Sequence, residues 1–174
     1  EGRGHARFHA RQIFTWIYAK GVADFEKMTD LSRPLRTDLA GHFRIDTPTL
    51  VQKETPSDGT VKFLLELRDG RRVESVFIPD TPAQTFCVST QVGCAMKCGF
   101  CLTGRMGLVR NLSAGEIAAQ VRVLAGELGL RGSKFNVVLM GMGEPLHNYD
   151  NTMKALRMLG DERGFALSPR RVTL

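Results

Sequence analysis

Cys94-Ala95-Met96-Lys97-Cys98-Gly99-Phe100-Cys101 decides how the rest of this sequence is read. Three cysteines fall within eight residues, spaced C-x3-C-x2-C, and Gly93 and Gly99 let the backbone curl around them. Thiolates this close in sequence can reach one point without help from distant parts of a fold, as a metal or an iron–sulfur cluster requires. A closed structural zinc site takes four ligands, and this loop offers three. Three thiolates on a four-iron cubane leave one iron open, and an open metal position is where chemistry takes place. Two other readings stand beside this one. In one the thiols pack unliganded, as small hydrophobes; in the other Cys87 completes a four-cysteine zinc site, although six residues separate it from Cys94 where zinc knuckles use C-x2-C pairs.

The surrounding pattern is α/β. Thr85 to Thr90, just before the loop, is β-like, and Ser113-Ala-Gly-Glu116 after it is a capping box that opens a helix running to about Leu128, with Gly129 closing it. Phe135 to Met140 is a near-continuous apolar run, as expected of a parallel strand covered on both sides. A helix over about Asn151 to Leu159 and a strand from Val172 follow. Strand, loop, helix, strand, loop, helix, strand is the opening of a βα-barrel, whose chemistry sits where strands run into loops. The spacing predicts only about two such units.

Two further segments precede them. Residues 1–48 predict a small helical module. Phe8, Ile13, Phe14, Ile17 and Tyr18 form the apolar stripe of a first helix, and Ser32 before Pro34 starts a second that ends near Phe43, with Leu35 and Leu39 inward. Residues 49–86 predict a connecting β-hairpin, Val61 to Leu67 and Val73 to Pro79 about Asp69-Gly70, joined by an earlier strand over Leu50 to Glu54. Residues 87–174 carry the barrel units.

Bulk composition is that of a globular protein: 174 residues, 43% hydrophobic and 24% charged. No run approaches a membrane span and no signal-peptide pattern opens the chain, so no membrane partner is expected. An iron–sulfur assignment needs a reducing compartment, which points to the cytoplasm. The net charge of +6 is uneven: residues 49–101 balance, while 102–174 carry ten basic against six acidic groups. The excess flanks the cysteine loop, as a polyanionic substrate would require, though an evenly solvated basic surface has the same composition. Glu1 and a strand-like Arg171-Val-Thr-Leu174 give both ends the look of cuts from a longer polypeptide.

Three stretches together narrow the reading. Cys87-Val-Ser-Thr-Gln-Val-Gly-Cys94, Gly107-Leu-Val-Arg-Asn-Leu112 and Val138-Leu-Met-Gly-Met-Gly-Glu-Pro-Leu146 resemble the RlmN/Cfr adenine methyltransferases of RNA, within the radical S-adenosylmethionine enzymes, over nearly the whole chain. The resemblance implies the amino-terminal part of a partial barrel and a 4Fe–4S cluster held by Cys94, Cys98 and Cys101. It also implies S-adenosylmethionine contacted at its amino end by Gly143 and Glu144. Without the cysteine loop, Gly141-Met-Gly-Glu-Pro145 reads as a tight turn, and Glu74 as a solvated strand carboxylate. The resemblance makes Glu74 the proton acceptor and Cys87 the cysteine that resolves a covalent RNA adduct by forming a disulfide.

The implied reaction is methylation of carbon 2 of an adenine in 23S ribosomal RNA and in transfer RNA, through a methyl-cysteine intermediate, with an electron donor such as flavodoxin. Methylation of carbon 8, as in the Cfr-type enzymes, and a non-catalytic zinc-stapled RNA-binding module remain alternatives. One departure stands out. The family's methyl-carrying cysteine lies downstream of every position in this sequence, so this chain alone is expected to bind a cluster without completing methyl transfer.

Overall fold

The structure, a computed structural model, describes residues 5–79 and 83–174. Glu1 and residues 80–82 of the connecting segment lie outside the described residues. The two expected helices of the first segment are α1 (Arg7–Tyr18) and α2 (Arg33–His42). Ser32 is the N-cap of α2 and Pro34 lies in its first turn, where a missing N–H costs nothing because that position has no helical acceptor. Leu35 and Leu39, one turn apart, pack with Phe25, Met28 and Leu31 into a small core that Ile13, Trp16 and Ile45 cover. Phe8 does not join the stripe: it is 56% exposed, because the apolar contacts of α1 begin only at Ile13.

Thereafter come β1 (Thr49–Glu54), β2 (Val61–Glu66), β3 (Arg72–Ile78), β4 (Thr85–Cys87), β5 (Gln91–Gly93), α3 (Leu102–Met106), β6 (Leu108–Asn111), α4 (Ala114–Glu127), β7 (Asn136–Val138), α5 (Tyr149–Gly160) and β8 (Val172–Thr173). Six strands form one sheet in the order β1-β2-β3-β4-β7-β8, and β5 and β6 form a separate ribbon. β4, β7 and β8 are parallel, with α4 and α5 in their connections, so the two expected βα units are present. The hairpin is no separate layer. β3 pairs antiparallel with β4, and this makes one mixed sheet of what sequence reads as two segments.

Alternation along the strands sorts the two faces. Val61, Phe63 and Leu65 of β2 stand opposite Phe77, Ser75 and Val73 of β3, all buried. They join Ile117, Val121 and Leu124 of α4 and Ala155 and Leu159 of α5 in the main core. Each large apolar side chain so buried contributes about 1.5–3 kcal/mol; truncating the fully buried Phe63 to alanine would cost about 3–5 kcal/mol. The run from Phe135 to Met140, expected to be covered on both sides, alternates instead. Phe135, Val137 and Leu139 are buried, whereas Val138 is half-buried and Met140 exposed. The face of Val138, which also carries Glu74, Val76 and Cys87, is the open one.

Candidate active site at the strand ends

The cysteine loop leaves the fold between β5 and β6, which pair antiparallel with Gln91 opposite Asn111 and Gly93 opposite Leu108. Its base is pinched shut where the Cys94 N–H donates to the Gly107 carbonyl at 3.0 Å. Only glycine fits at 93: φ is +73°, and a β carbon there would fall 1.9 Å from the Gly107 oxygen. This ribbon was not foreseen. Beyond its base Cys94 is buried, residues 95–100 are exposed and Cys101 is half-buried. The Cys101 N–H closes a turn on the Cys98 carbonyl at 3.0 Å.

Among the described residues, no three His, Cys, Asp or Glu side chains converge in a metal-holding group, so the three sulfurs are not gathered here. The residues nevertheless fit a cluster on three counts. The donors are three thiols on one loop, the segment between them is solvent-exposed turn and bend, and its termini are anchored by backbone hydrogen bonds. Gathering them requires turns of side chains and of an exposed loop, with no change in the sheet. The environment also favours the thiolate at Cys101. The Gly104 backbone N–H, at the start of α3, holds the Cys101 thiol below the ordinary range. The Met96 N–H donates to Cys94 Sγ at 3.5 Å, and N–H donors to sulfur are among the groups that tune cluster potentials.

Gly141 to Pro145 leaves β7 beside this loop, and buried amides and hydroxyls lock it there. The Thr90 and Gln91 N–H groups donate to the Met142 carbonyl at 2.8 and 3.2 Å, and the Met142 N–H donates to Ser89 Oγ at 2.8 Å. Gln91 is fully buried; its Oε1 accepts the Glu144 N–H at 2.9 Å, and its Nε2 donates to Asn111 Oδ1 at 2.7 Å. One side chain thus ties the turn of Gly143 and Glu144 to the ribbon under the cysteines. Gly143 has φ +102°, and a β carbon there would meet Gln91 Cβ at 2.6 Å and its backbone nitrogen at 2.8 Å. Glu144 has a local task as well: its Oε1 accepts the Leu146 N–H at 3.0 Å and caps the short 3-10 turn Pro145–Asn148.

Glu74 and Cys87 share the open face. Val76 stands opposite Cys87, and Glu74 is two residues before Val76, so the two are diagonal neighbours, roughly 7–8 Å apart by sheet geometry. Glu74 is not buried. Its Oε1 pairs with Lys62 Nζ at 3.0 Å, and the hydrogen bond that the lysine donates to Glu74 raises the lysine's pKa. Burial pushes the Cys87 thiol up, against a smaller opposing effect of the Met140 backbone N–H. The disulfide attached to Cys87 by resemblance is not formed within this chain: all four cysteines are free.

Sequence reasoning missed the polar core that holds these parts together. Gln120 of α4 is fully buried and joins Ser75 to Ser89, and the Ser89 hydroxyl donates to the Glu74 carbonyl at 2.6 Å. Asn148 Nδ2 donates to the Thr90 and Leu112 carbonyls, both at 2.8 Å. The signal available in the sequence was a glutamine at an inward position of an apolar helical stripe.

With this geometry in hand, comparison with known proteins decides the family. A model described as the radical SAM superfamily matches residues 88–174. The chain belongs to the radical SAM superfamily. A second model, the ribosomal RNA large subunit methyltransferase N-terminal domain, matches residues 1–45. The dual-specificity RNA methyltransferase RlmN of Syntrophobacter fumaroxidans is 47% identical over 174 residues, which cover 100% of this chain and 51% of that protein. RlmN of Syntrophotalea carbinolica is 51% identical, over 99% of this chain and 46% of its own length. A crystal structure of a radical SAM methyltransferase from Sphaerobacter thermophilus superposes with a TM-score of 0.89 at 43% identity, covering 98% of this chain and 51% of that one. The chain therefore spans about half the length of the curated relatives it matches. Radical SAM membership implies a 4Fe–4S cluster and S-adenosylmethionine, and the three-cysteine loop lies inside the matched region.

Proposed function

We propose that this chain is the cluster- and S-adenosylmethionine-holding part of an RNA adenine methyltransferase, and that the whole enzyme methylates carbon 2 of an adenine in 23S ribosomal RNA and in transfer RNA through a methyl-cysteine intermediate. The observation that carries the reading is the joining of two loops by Gln91: the three-cysteine loop on β5 and β6, and the glycine turn after β7. Similarity to RlmN over the full 174 residues supplies the substrate class. Residues 1–48 serve as the helical accessory domain that contacts RNA, 49–86 as the connecting hairpin and 87–174 as the first part of the barrel. A flavodoxin-like electron donor in the cytoplasm completes the system.

When bound, the reduced cluster supplies the electron that cleaves S-adenosylmethionine to a carbon radical. The chain's own residues do the rest. Cys94, Cys98 and Cys101 present three thiolates, and Gly143, whose missing side chain lets the turn close on Gln91, presents backbone to the cofactor's amino end. Glu144, with Oε1 engaged in the cap, keeps its second oxygen for that ammonium group. On the open face, Glu74 accepts a proton. Lys62 occupies its carboxylate until substrate displaces the lysine. Cys87, diagonal to it, supplies the thiolate, withheld by burial until then, that attacks the adduct's sulfur. A disulfide forms, the bond from that sulfur to the transferred methylene breaks, and the methylene carbon keeps the electron pair and takes a proton.

The test is product analysis. RNA treated with the whole protein is expected to contain 2-methyladenosine by mass spectrometry, and RNA treated with the reconstituted 174-residue chain is expected to contain none. Finding 8-methyladenosine would replace the proposed regiochemistry. Methylation by this chain alone would overturn the assignment of the methyl-carrying cysteine to a position outside it.

A further inference from the structure

We propose that a second site, away from the cysteine loop, binds a phosphate group at Arg122. A cavity of about 860 Å³ lies among α1, the segment joining α2 to β1, the turn between β2 and β3, and the flank of α4. None of its lining residues belongs to the cysteine loop or to the turn after β7. Arg122, on α4, is only 4% exposed and lines it. Nη2 of this guanidinium donates to the Asp46 carbonyl at 3.0 Å and to Thr47 Oγ1 at 2.7 Å, both uncharged, and its Nε is buried with no partner.

A buried cation normally sits beside a carboxylate, because an uncompensated charge in a low-dielectric interior is costly. No ion pair is formed by Arg122 among the described residues. The acids around the cavity are already taken: Asp46 by Arg44, Glu66 by Arg72, and both Asp69 and Glu116 by Arg110. Arg68, exposed at the same cavity, also lacks an ion pair among the described residues. The positive charge is further reinforced. Arg131 shares with Arg122 a smaller adjoining cavity of about 340 Å³, which Glu127 also lines. Its guanidinium occupies the space that β carbons at Gly21 and Gly126 would fill. Burial pushes Arg122 below its ordinary range, with Tyr18 opposing the effect and Arg131 adding to it.

Phosphate is the oxyanion that this arrangement suits. Guanidinium N–H groups pair with phosphate oxygens, and Nε is the donor of Arg122 that no protein atom satisfies. Tyr18, Ile17, Ile45 and Leu67 provide an apolar wall, and the volume lies in the range of sites for nucleotide-sized ligands. A free nucleotide and an RNA strand both carry such a phosphate, and the chemistry at Arg122 is common to both.

The purified chain should be titrated calorimetrically with inorganic phosphate, with chloride at matched ionic strength as reference, and then with adenosine monophosphate and a short single-stranded RNA as competitors. Saturable phosphate binding is expected, at least tenfold weaker in Arg122→Gln and about threefold weaker in Arg68→Gln. Displacement by the RNA identifies a strand phosphate, and displacement by the mononucleotide alone identifies a free one; both support the site. Arg68 makes no ion pair that folding would miss, so Arg68→Gln decides the matter even where Arg122→Gln fails to fold. Phosphate binding no stronger than chloride, or unchanged in the folded variants, overturns the proposal. The site stands apart from the cluster chemistry, so neither result bears on the proposed methyl transfer.

Discussion

Replacing Gln120 with leucine tests whether the buried amide organises the site. In the native fold, Oε1 accepts the Ser75 hydroxyl at 2.9 Å and the Ser89 N–H at 2.8 Å, while Nε2 donates to the Ser89 carbonyl at 2.9 Å. Leucine has a similar volume and can offer none of these bonds. The Ser89 N–H and carbonyl are left unpaired in the core, and the Ser75 hydroxyl must turn elsewhere. At about 1.5–3 kcal/mol for each of these two stranded groups the loss is ~3–6 kcal/mol. Extra apolar burial by leucine returns about 1–2 kcal/mol, which leaves a net destabilisation of ~2–4 kcal/mol. For a slope of about 2 kcal/mol per molar urea, the unfolding midpoint falls by roughly 1–2 M. Ser89 also holds the Glu74 carbonyl and the Met142 N–H, so amide exchange at Met142 should accelerate together with the loss of stability. A midpoint shift below about 0.5 M at unchanged slope, with Met142 protected as before, refutes this reasoning.

Gly143→Ala forces a β carbon into Gln91 at a positive φ, so the turn must move and the Glu144 N–H must leave Gln91 Oε1. Calorimetry on the reconstituted chain should show at least about tenfold weaker S-adenosylmethionine binding, a loss of ~1.4 kcal/mol or more; equal affinity would contradict the close approach assigned to this position. The Glu116 carboxyl is raised by burial, the largest single effect. The Arg110 guanidinium and the Ser113 N–H and hydroxyl outweigh it together, so its pKa ends below the ordinary range. Its contribution is therefore present above the unfolded value of about 4.3 and is lost as pH falls through the depressed folded value. Glu116→Gln should flatten the acid limb of the urea midpoint below about pH 4.3, and an unchanged limb would contradict the sign.

The sequence was most legible where local rules act alone. The capping box at Ser113 and Glu116 is present with both of its bonds, and Pro34 and Gly129 mark their helix ends as expected. The parallel strands followed from their apolar runs and the helices between them. Other features depend on what the chain meets after folding. β5 spans only three residues, too short to show a period, and its partner β6 lies beyond the whole cysteine loop. The Lys62 pair with Glu74, the Gln91 bridge and the lone charge of Arg122 each join residues on different elements, and periodicity records nothing of them. The site was read through its cysteines and glycines because their chemistry and backbone freedom are written in the residue type. The groups that hold those residues in place are ordinary amides and hydroxyls, meaningful only through their partners.

The central claim is that the Cys94, Cys98 and Cys101 thiolates close on a cluster when iron and sulfide are supplied. Anaerobic reconstitution followed by metal analysis and absorption spectroscopy tests it most directly. About four irons and four sulfides per chain, with brown charge-transfer absorption lost in the Cys94→Ala, Cys98→Ala and Cys101→Ala variants, is the expected result. A colourless chain that retains one equivalent of zinc, or iron kept equally well by all three variants, would contradict it.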